Sequence, residues 1–296
     1  MEILGAGIGF GLVIGAVLAI AAVGFSLQYS VTNVLNLAFS ETMIVSGFVG
    51  YWVNSQGMNI WVSALAAIGC GVAVSFLMNR FVYQRFIDKG SSLFVLVVVS
   101  LALSMILANL LLVIAGPLSF RYDVPVSTVF SIGGAAFTNV HMVVVVLAAL
   151  TMVGIHYLLK RTRLGKAMRA ASVDPTLAQS CGIPTNRVVN LAWAISGALC
   201  GLAGVVYLVS TSTFSATSGR SFVVLVIAAA ILGGIGDAYG AMLGALVIGI
   251  STELGAIWFD STFKLAIALA ILILVLLVRP QGIRAEFARE REVSAA

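Results

Sequence analysis

A lone carboxylate, Glu41, is the one charge between Glu2 and Arg80, and it follows Thr32, Asn33, Asn36 and Ser40 in a run that is otherwise apolar. Amide, hydroxyl and carboxylate groups at this spacing can line a path for a small polar solute or bind an ion. With no histidine, cysteine or second acid beside them, they do not assemble a nucleophile and its base. Glu253 is a second isolated acid inside an apolar stretch, where an ionisable group is a functional candidate by default, with Lys264 as its alternative, structural partner. His141 and His156 stand far apart in sequence, and Cys70, Cys181 and Cys200 form neither a CxxC pair nor metal-ligand spacing. The cysteines read as small core hydrophobes. No catalytic residue, metal or cofactor is expected from this inventory.

Elements buried in lipid must position these groups. Of 296 residues, 61% are hydrophobic and 9% charged, against roughly 25% charged in a soluble domain, too few to coat a surface facing water. The net charge of +5 is carried without interleaved aromatics, which argues against nucleic acid as a partner. Apolar stretches lie at 7–28, 42–53, 60–78, 93–115, 142–159, 189–209, 222–232, 241–257 and 265–278. They predict an all-α polytopic membrane protein with eight or nine transmembrane segments.

Two stretches are short. The one at 42–53 would reach about 18 Å, less than a hydrocarbon core of roughly 30 Å. Extended back to Val31, it becomes a crossing that carries all five polar residues, so a discontinuous helix is expected there, shielded by protein. The stretch at 222–232 has the same character, lying between hydroxyl-rich 210–219 and glycine-rich 233–240. Broken helices at corresponding places point to a central pathway, with Asn33, Asn36, Ser40 and Glu41 as its wall or gate. Glycines four residues apart, such as Gly7, Gly11 and Gly15, or Gly197 and Gly201, are expected to let helices approach closely.

Thirteen of the 16 lysines and arginines fall in three places: Arg80, Arg85 and Lys89; Lys160, Arg161, Arg163, Lys166, Arg169 and Arg187; and Arg279, Arg284, Arg289 and Arg291. The positive-inside rule makes all three cytoplasmic, which places the N-terminus and the loop at 116–140 outside. The chain thus reads as one transmembrane domain over 1–296, with a cytoplasmic loop at 160–188 and a cytoplasmic tail at 279–296. The first apolar stretch lacks the basic n-region of a signal peptide and is expected to be a retained span.

Within the loop at 160–188, Leu164, Ala167, Met168 and Ala171 fall at i, i+3, i+4 and i+7, an apolar stripe with Arg163, Lys166 and Arg169 off it. Asp174 can N-cap a second short helix with Pro175 at its first position, and Gly182 can end it. Such a hairpin can dock in a partner's groove or lie on anionic lipid.

The blocks Arg161-Thr-Arg-Leu-Gly-Lys-Ala-Met-Arg-Ala170, Asp174-Pro and Cys181-Gly-Ile183 resemble the coupling loop of ABC-importer permeases of the branched-chain amino acid (LivH-like) family. Asn33-Val-Leu-Asn-Leu-Ala-Phe-Ser40, the glycine-rich block from Ile231 to Gly244 leading to Glu253, and Leu276-Leu-Val-Arg-Pro-Gln-Gly282 resemble further family blocks in the expected order. The resemblance implies a multi-pass permease subunit in a bacterial-type inner membrane. Its implied partners are a second permease, identical or paralogous, two cytoplasmic ATPase subunits and an extracytoplasmic substrate-binding protein. The chain has no Gly-x-x-x-x-Gly-Lys-Ser/Thr phosphate loop, so it is expected not to be an enzyme and to leave ATP hydrolysis to another subunit. Coupling to that subunit is expected through Arg163, Leu164, Gly165, Met168, Arg169 and Asp174, with Gly165 permitting close approach. An ion-coupled secondary transporter of a small polar solute, and an ABC permease for urea or short amides, remain open alternatives.

Overall fold

The computed structural model describes residues 2–124, 129–132, 135–211, 213–258, 260, 263–278 and 282. Every apolar stretch named above lies in a helix. In order these are α1 (Glu2–Thr32), α2 (Phe39–Ser55), α3 (Ile60–Met78), α4 (Gln84–Asp88), α5 (Leu93–Ala115), α6 (Asn139–Arg161), α7 (Arg163–Val173), α8 (Pro175–Ser180), α9 (Thr185–Ser210), α10 (Gly219–Gly233), α11 (Ala238–Trp258) and α12 (Lys264–Val278). Among the described residues, six helical runs are long and apolar enough to cross a membrane: 7–32, 60–88, 93–115, 139–161, 185–210 and 238–258. Helices α10 and α12 are shorter, at 15 residues each.

An addition to the all-helical expectation is a small antiparallel hairpin, β1 (Val129–Ile132) paired with β2 (Ala135–Thr138), inside the stretch expected only as an outer loop. Its sequence signal is Gly133-Gly134 between two short runs containing valine, isoleucine and phenylalanine. The tail at 279–296, with Arg279, Arg284, Arg289 and Arg291, lies outside the described residues except for Gly282.

The chain forms two compact units. The first comprises residues 1–26, 125–149 and 224–296. In it, α1 meets α11 glycine against backbone: a Cβ on Gly11 would lie 2.6 Å from Ile250 Cα, so only glycine fits the crossing. Phe10 stacks on Phe137 and meets His141 edge-on, with ring centroids 5.7 and 5.6 Å apart.

The second unit comprises residues 27–124 and 150–223. Its centre is α9, against which α2 and α3 pack. The α3–α9 crossing is as close as the expected small-residue spacing requires: a Cβ on Gly71 would sit 3.0 Å from Gly201 N and 3.1 Å from Gly201 Cα. Trp193, Phe48, Met43 and Leu208 are among the fully buried side chains here. On α5, Phe94, Met105 and Val113 point outward, as apolar residues do on a helix facing lipid.

A π-helical turn at Asn79–Tyr83 joins α3 to α4. The extra residue such a turn inserts rotates the following side chains relative to the α-helical period. Asn79 and Tyr83 are both buried while Arg80 between them is exposed.

Candidate functional site

The polar run begins where α1 stops. Asn33 has φ of +52°, the left-handed geometry that ends helices and that asparagine tolerates, and its N–H donates to Tyr29 O at 2.8 Å. Residues 33–38 then run without helical structure before α2 starts at Phe39. The expected discontinuity is thus a six-residue break, with Thr32 belonging to the helix before it.

Backbone groups released by the break are met by side chains, as a segment shielded from water requires. Leu37 N donates to Ser100 Oγ at 3.2 Å, and the single proton of that hydroxyl is shared between Val97 O at 2.8 Å and Leu35 O at 3.1 Å. Ala38 N donates to Asn36 Oδ1 at 3.1 Å. Asn36, 3% exposed, is also the hub of a buried network. Tyr83 Oη donates to its Oδ1 at 2.9 Å, and its Nδ2 donates to Gln28 Oε1 at 3.5 Å. Gln28 Oε1 accepts in addition from Ser196 Oγ at 3.3 Å. The Tyr83 ring lies 4.9 Å from that of Trp193, and Val34, Ala38, Met78 and Leu96 pack around the pair.

Gln28 Nε2 and Trp193 Nε1 are buried donors with no hydrogen-bond partner. Next to this network Asn79 Nδ2 donates to Asn190 Oδ1 at 2.7 Å, and Ser75 Oγ donates to Trp193 O at 2.9 Å. Asn36 therefore joins α1 and the π turn directly, and α9 through Gln28. Gln28, Tyr83, Ser100, Trp193 and Ser196 were not singled out from sequence. Gln28, Ser100, Trp193 and Ser196 are scattered polar or aromatic residues in apolar helices, and Tyr83 lies in the polar stretch after α3 where nothing in the spacing marks it.

The other pathway candidates divide. Asn33 is exposed and makes no part of the network. Ser40 and Glu41 lie in the first turn of α2, 1% and 2% exposed, and Ser40 Oγ and Glu41 Oε2 are without hydrogen-bond partners. Glu253 lies in the other unit, where it forms an ion pair with Lys264 across the α11–α12 connection.

Further along α2, Phe48 and Tyr51 form an aromatic cluster with Phe120, Tyr122 and Phe214, ring centroids 5.2 to 5.7 Å apart for most pairs. Phe120 and Phe214 also exchange both backbone hydrogen bonds, at 2.8 and 3.0 Å, tying two connecting loops together. Tyr122 Oη donates to Gly47 O at 2.6 Å, and burial pushes this phenol up from its ordinary pKa, so it stays protonated as a donor.

The basic segment folds into α7 and α8. Thr162 caps α7 by accepting from Gly165 N at 3.1 Å, and Asp174 caps α8 by accepting from Thr176 N at 2.8 Å and Leu177 N at 2.9 Å. Gly182, with φ of +82°, follows the end of α8. The apolar stripe of α7 turns toward its own chain. Gly165, Met168 and Ala171 are buried, Gly165 against the last turn of α6, and α7 packs on α9. Leu164 is half-buried, whereas Arg163 and Arg169 are exposed, Arg169 Nη1 donating to Leu159 O at 2.9 Å. Gly165 therefore permits a close approach within the chain itself. The open surface is a groove of about 240 Å³ whose lining includes Val173, Asp174, Leu177, Cys181 and Ile183, with Val173 87% exposed. Cys181 is exposed here and Cys70 half-buried, so of the three cysteines expected in the core only Cys200 is buried.

Comparison with known proteins agrees with this geometry. Residues 7–276 match the family model described as branched-chain amino acid transport system, permease component. The chain is 27% identical over 287 residues to the high-affinity branched-chain amino acid transport system permease protein BraD of Pseudomonas aeruginosa, covering 92% of this chain and 93% of that protein. It is 30% identical over 281 residues to a probable branched-chain amino acid transport permease protein LivH of Methanocaldococcus jannaschii, covering 90% and 88%. The ribose import permease protein RbsC of Escherichia coli is 25% identical over 270 residues, covering 88% and 81%. Among solved structures, PsaBC from Streptococcus pneumoniae in complex with Fab shares the fold, with a TM-score of 0.51 at 15% identity and coverage of 92% and 91%. The chain is a multi-pass membrane protein and belongs to the permease-component family of branched-chain amino acid transport systems.

Proposed function

We propose that this chain is the membrane-spanning subunit of an ATP-driven importer for branched-chain or related amino acids. It works with a second permease, two cytoplasmic ATPase subunits and an extracytoplasmic binding protein, in an inner membrane. The orientation is N-terminus outside and C-terminus cytoplasmic, with eight or nine crossings that include α2, α10 and α12. The break at 33–38 and the first turn of α2, with Asn33, Asn36, Ser40 and Glu41, belong to the solute path. The α7–α8 hairpin meets the ATPase through Arg163, Arg169 and the groove bordered by Asp174. Gly165, Leu164 and Met168 act from behind, setting how the hairpin is seated.

The observation that carries this reading is the open apolar groove on a capped basic hairpin, in a chain of the permease family. The test is uptake of radiolabelled leucine by vesicles holding the full complex, with ATP supplied on the ATPase side. ATP-dependent leucine uptake, together with cross-linking of Cys181 to the ATPase, is the expected result. Uptake driven by an ion gradient without ATP overturns the reading. The similarity to a ribose permease makes ribose the competing cargo, and ribose uptake in place of leucine would reassign it.

A further inference from the structure

We propose that Ser40, Glu41 and the first turn of α10 form a binding site for the zwitterion of an α-amino acid, with Glu41 taking the ammonium group and α10 the carboxylate. This deepens the amino-acid reading above and rests on it. All the residues concerned lie in the second unit. Glu41 is 2% exposed and Ser40 1%, yet Glu41 Oε2 and Ser40 Oγ have no hydrogen-bond partner, and among the described residues Glu41 makes no ion pair. A buried carboxylate is costly unless it is paired or protonated, so an arriving cation would supply the partner that this one lacks.

The carboxylate is aimed at the start of α10. A Cβ on Gly219, the first residue of that helix, would lie 2.9 Å from Glu41 Oε2 and 3.0 Å from Ile44 Cγ1. Glycine there lets the acid rest against the helix start, where free N–H groups and the macrodipole favour negative charge. Arg220 follows and is exposed. An α-amino acid carries its ammonium and carboxylate on one carbon. Its carboxylate can take the place at the α10 terminus beside Arg220, while Glu41 and Ser40 Oγ accept from its ammonium. A neutral solute such as a sugar offers hydroxyl donors but no positive charge, so its pairing with the acid lacks the ionic part.

The test uses the assembled permease–ATPase complex without the binding protein, and reads ligand-dependent thermal stabilisation. Leucine is expected to stabilise the wild type. 4-Methylpentanoate, which lacks the ammonium, isoamylamine, which lacks the carboxylate, and ribose should each need about tenfold or more concentration. Glu41→Gln keeps the size and an acceptor oxygen, so a purely capping role survives it, whereas ammonium pairing does not. The half-saturating leucine concentration should rise about tenfold or more in this variant, and a few-fold in Ser40→Ala. Equal stabilisation by leucine and 4-methylpentanoate overturns the proposal even if Glu41→Gln fails to assemble, as does an unchanged leucine response in Glu41→Gln. If the wild type imports leucine in vesicles but either result is found, the site alone fails. If it neither binds nor imports any amino acid, the amino-acid reading fails with it.

Discussion

Replacing Gly165 by alanine adds one methyl group at the joint between α6 and α7, and its consequence can be worked from the geometry. The new Cβ would lie 2.6 Å from Leu159 Cα and nearer still to the Leu158 and Leu159 carbonyl oxygens. All three are backbone atoms, so no side chain can turn aside. Ordinary contact needs about 3.4 Å, and the two carbonyl oxygens therefore require α7 to back away from α6 by about 1 Å. That joint is fastened by Thr162 Oγ1 donating to Leu158 O at 2.6 Å and by Arg169 Nη1 donating to Leu159 O at 2.9 Å. Lengthened by the same amount, the second becomes about 3.9 Å and ceases to be a hydrogen bond.

Overpacking of this kind costs about 1–3 kcal/mol, and the hairpin is reseated rather than merely loosened. The expected outcome for Gly165→Ala is a lower thermal midpoint and more ATP hydrolysed per leucine imported in the reconstituted complex. Gly154→Ala, on α6, is the control: nothing lies within 4 Å of its Cβ position, and the helix gains about 1 kcal/mol in propensity. A Gly165→Ala complex with wild-type melting and a wild-type ratio of ATP to leucine would refute the reasoning.

Two further outcomes concern single side chains. Tyr83→Phe leaves Asn36 Oδ1 with Ala38 N as its remaining donor and removes about 1 kcal/mol from the break. A reduced thermal midpoint in detergent and slower leucine uptake are expected, and an unchanged rate would show that the break does not need this strut. Lys264→Met leaves Glu253, whose side chain is 13% exposed, without its cation, at a cost of roughly 1–3 kcal/mol, below that of a fully buried pair because Lys264 is partly exposed. The double variant Glu253→Gln, Lys264→Met should recover most of that loss while leucine uptake stays near wild type. If uptake collapses in the double variant although melting recovers, Glu253 belongs to the solute path and not to a structural clasp.

The place of the helix break was legible in the sequence, because Asn33, Asn36, Ser40 and Glu41 cannot share one apolar crossing without a reason. What holds the break was not. Gln28, Ser100 and Ser196 are scattered polar residues in apolar helices, and Tyr83 reaches Asn36 only because the π turn at Asn79–Tyr83 adds a residue that a 3.6 period does not register. The hairpin shows the same limit. Its stripe and caps could be read from Leu164 to Gly182, but amphipathicity says that a face is covered and not what covers it. Gly165 and Met168 turned out to face their own chain. The small-residue spacing at Gly197 and Gly201 was visible, whereas the matching row on α3, Ser63, Ala67, Gly71 and Ser75, has the same four-residue spacing with a single glycine and is missed when glycines alone are counted.

The hairpin and the polar break share one rigid element. Helices α7 and α8 both pack on α9, and α9 carries Asn190, Trp193 and Ser196 toward Asn79, Tyr83 and Gln28. From Asn190 to Ser196 is six residues, a rise of about 9 Å. The α3–α9 crossing interlocks backbone against backbone at Gly71 and Gly201, so those two helices move as a body. The bonds from Gln28 to Ser196 and Asn36, at 3.3 and 3.5 Å, are the weaker links and should yield first. A shift of the hairpin is therefore expected to be delivered at the break, and a coupling measurement between the two places tests it. Gly165→Ala and Ser196→Ala supply the coupling measurement. Sites with no shared partners usually add within about 0.3–0.5 kcal/mol. If α9 transmits the motion, the double variant should change the ATP-to-leucine ratio by less than the product of the two single changes, because the first already disengages what the second loosens. Strictly multiplicative changes would mean that the hairpin and the break act independently.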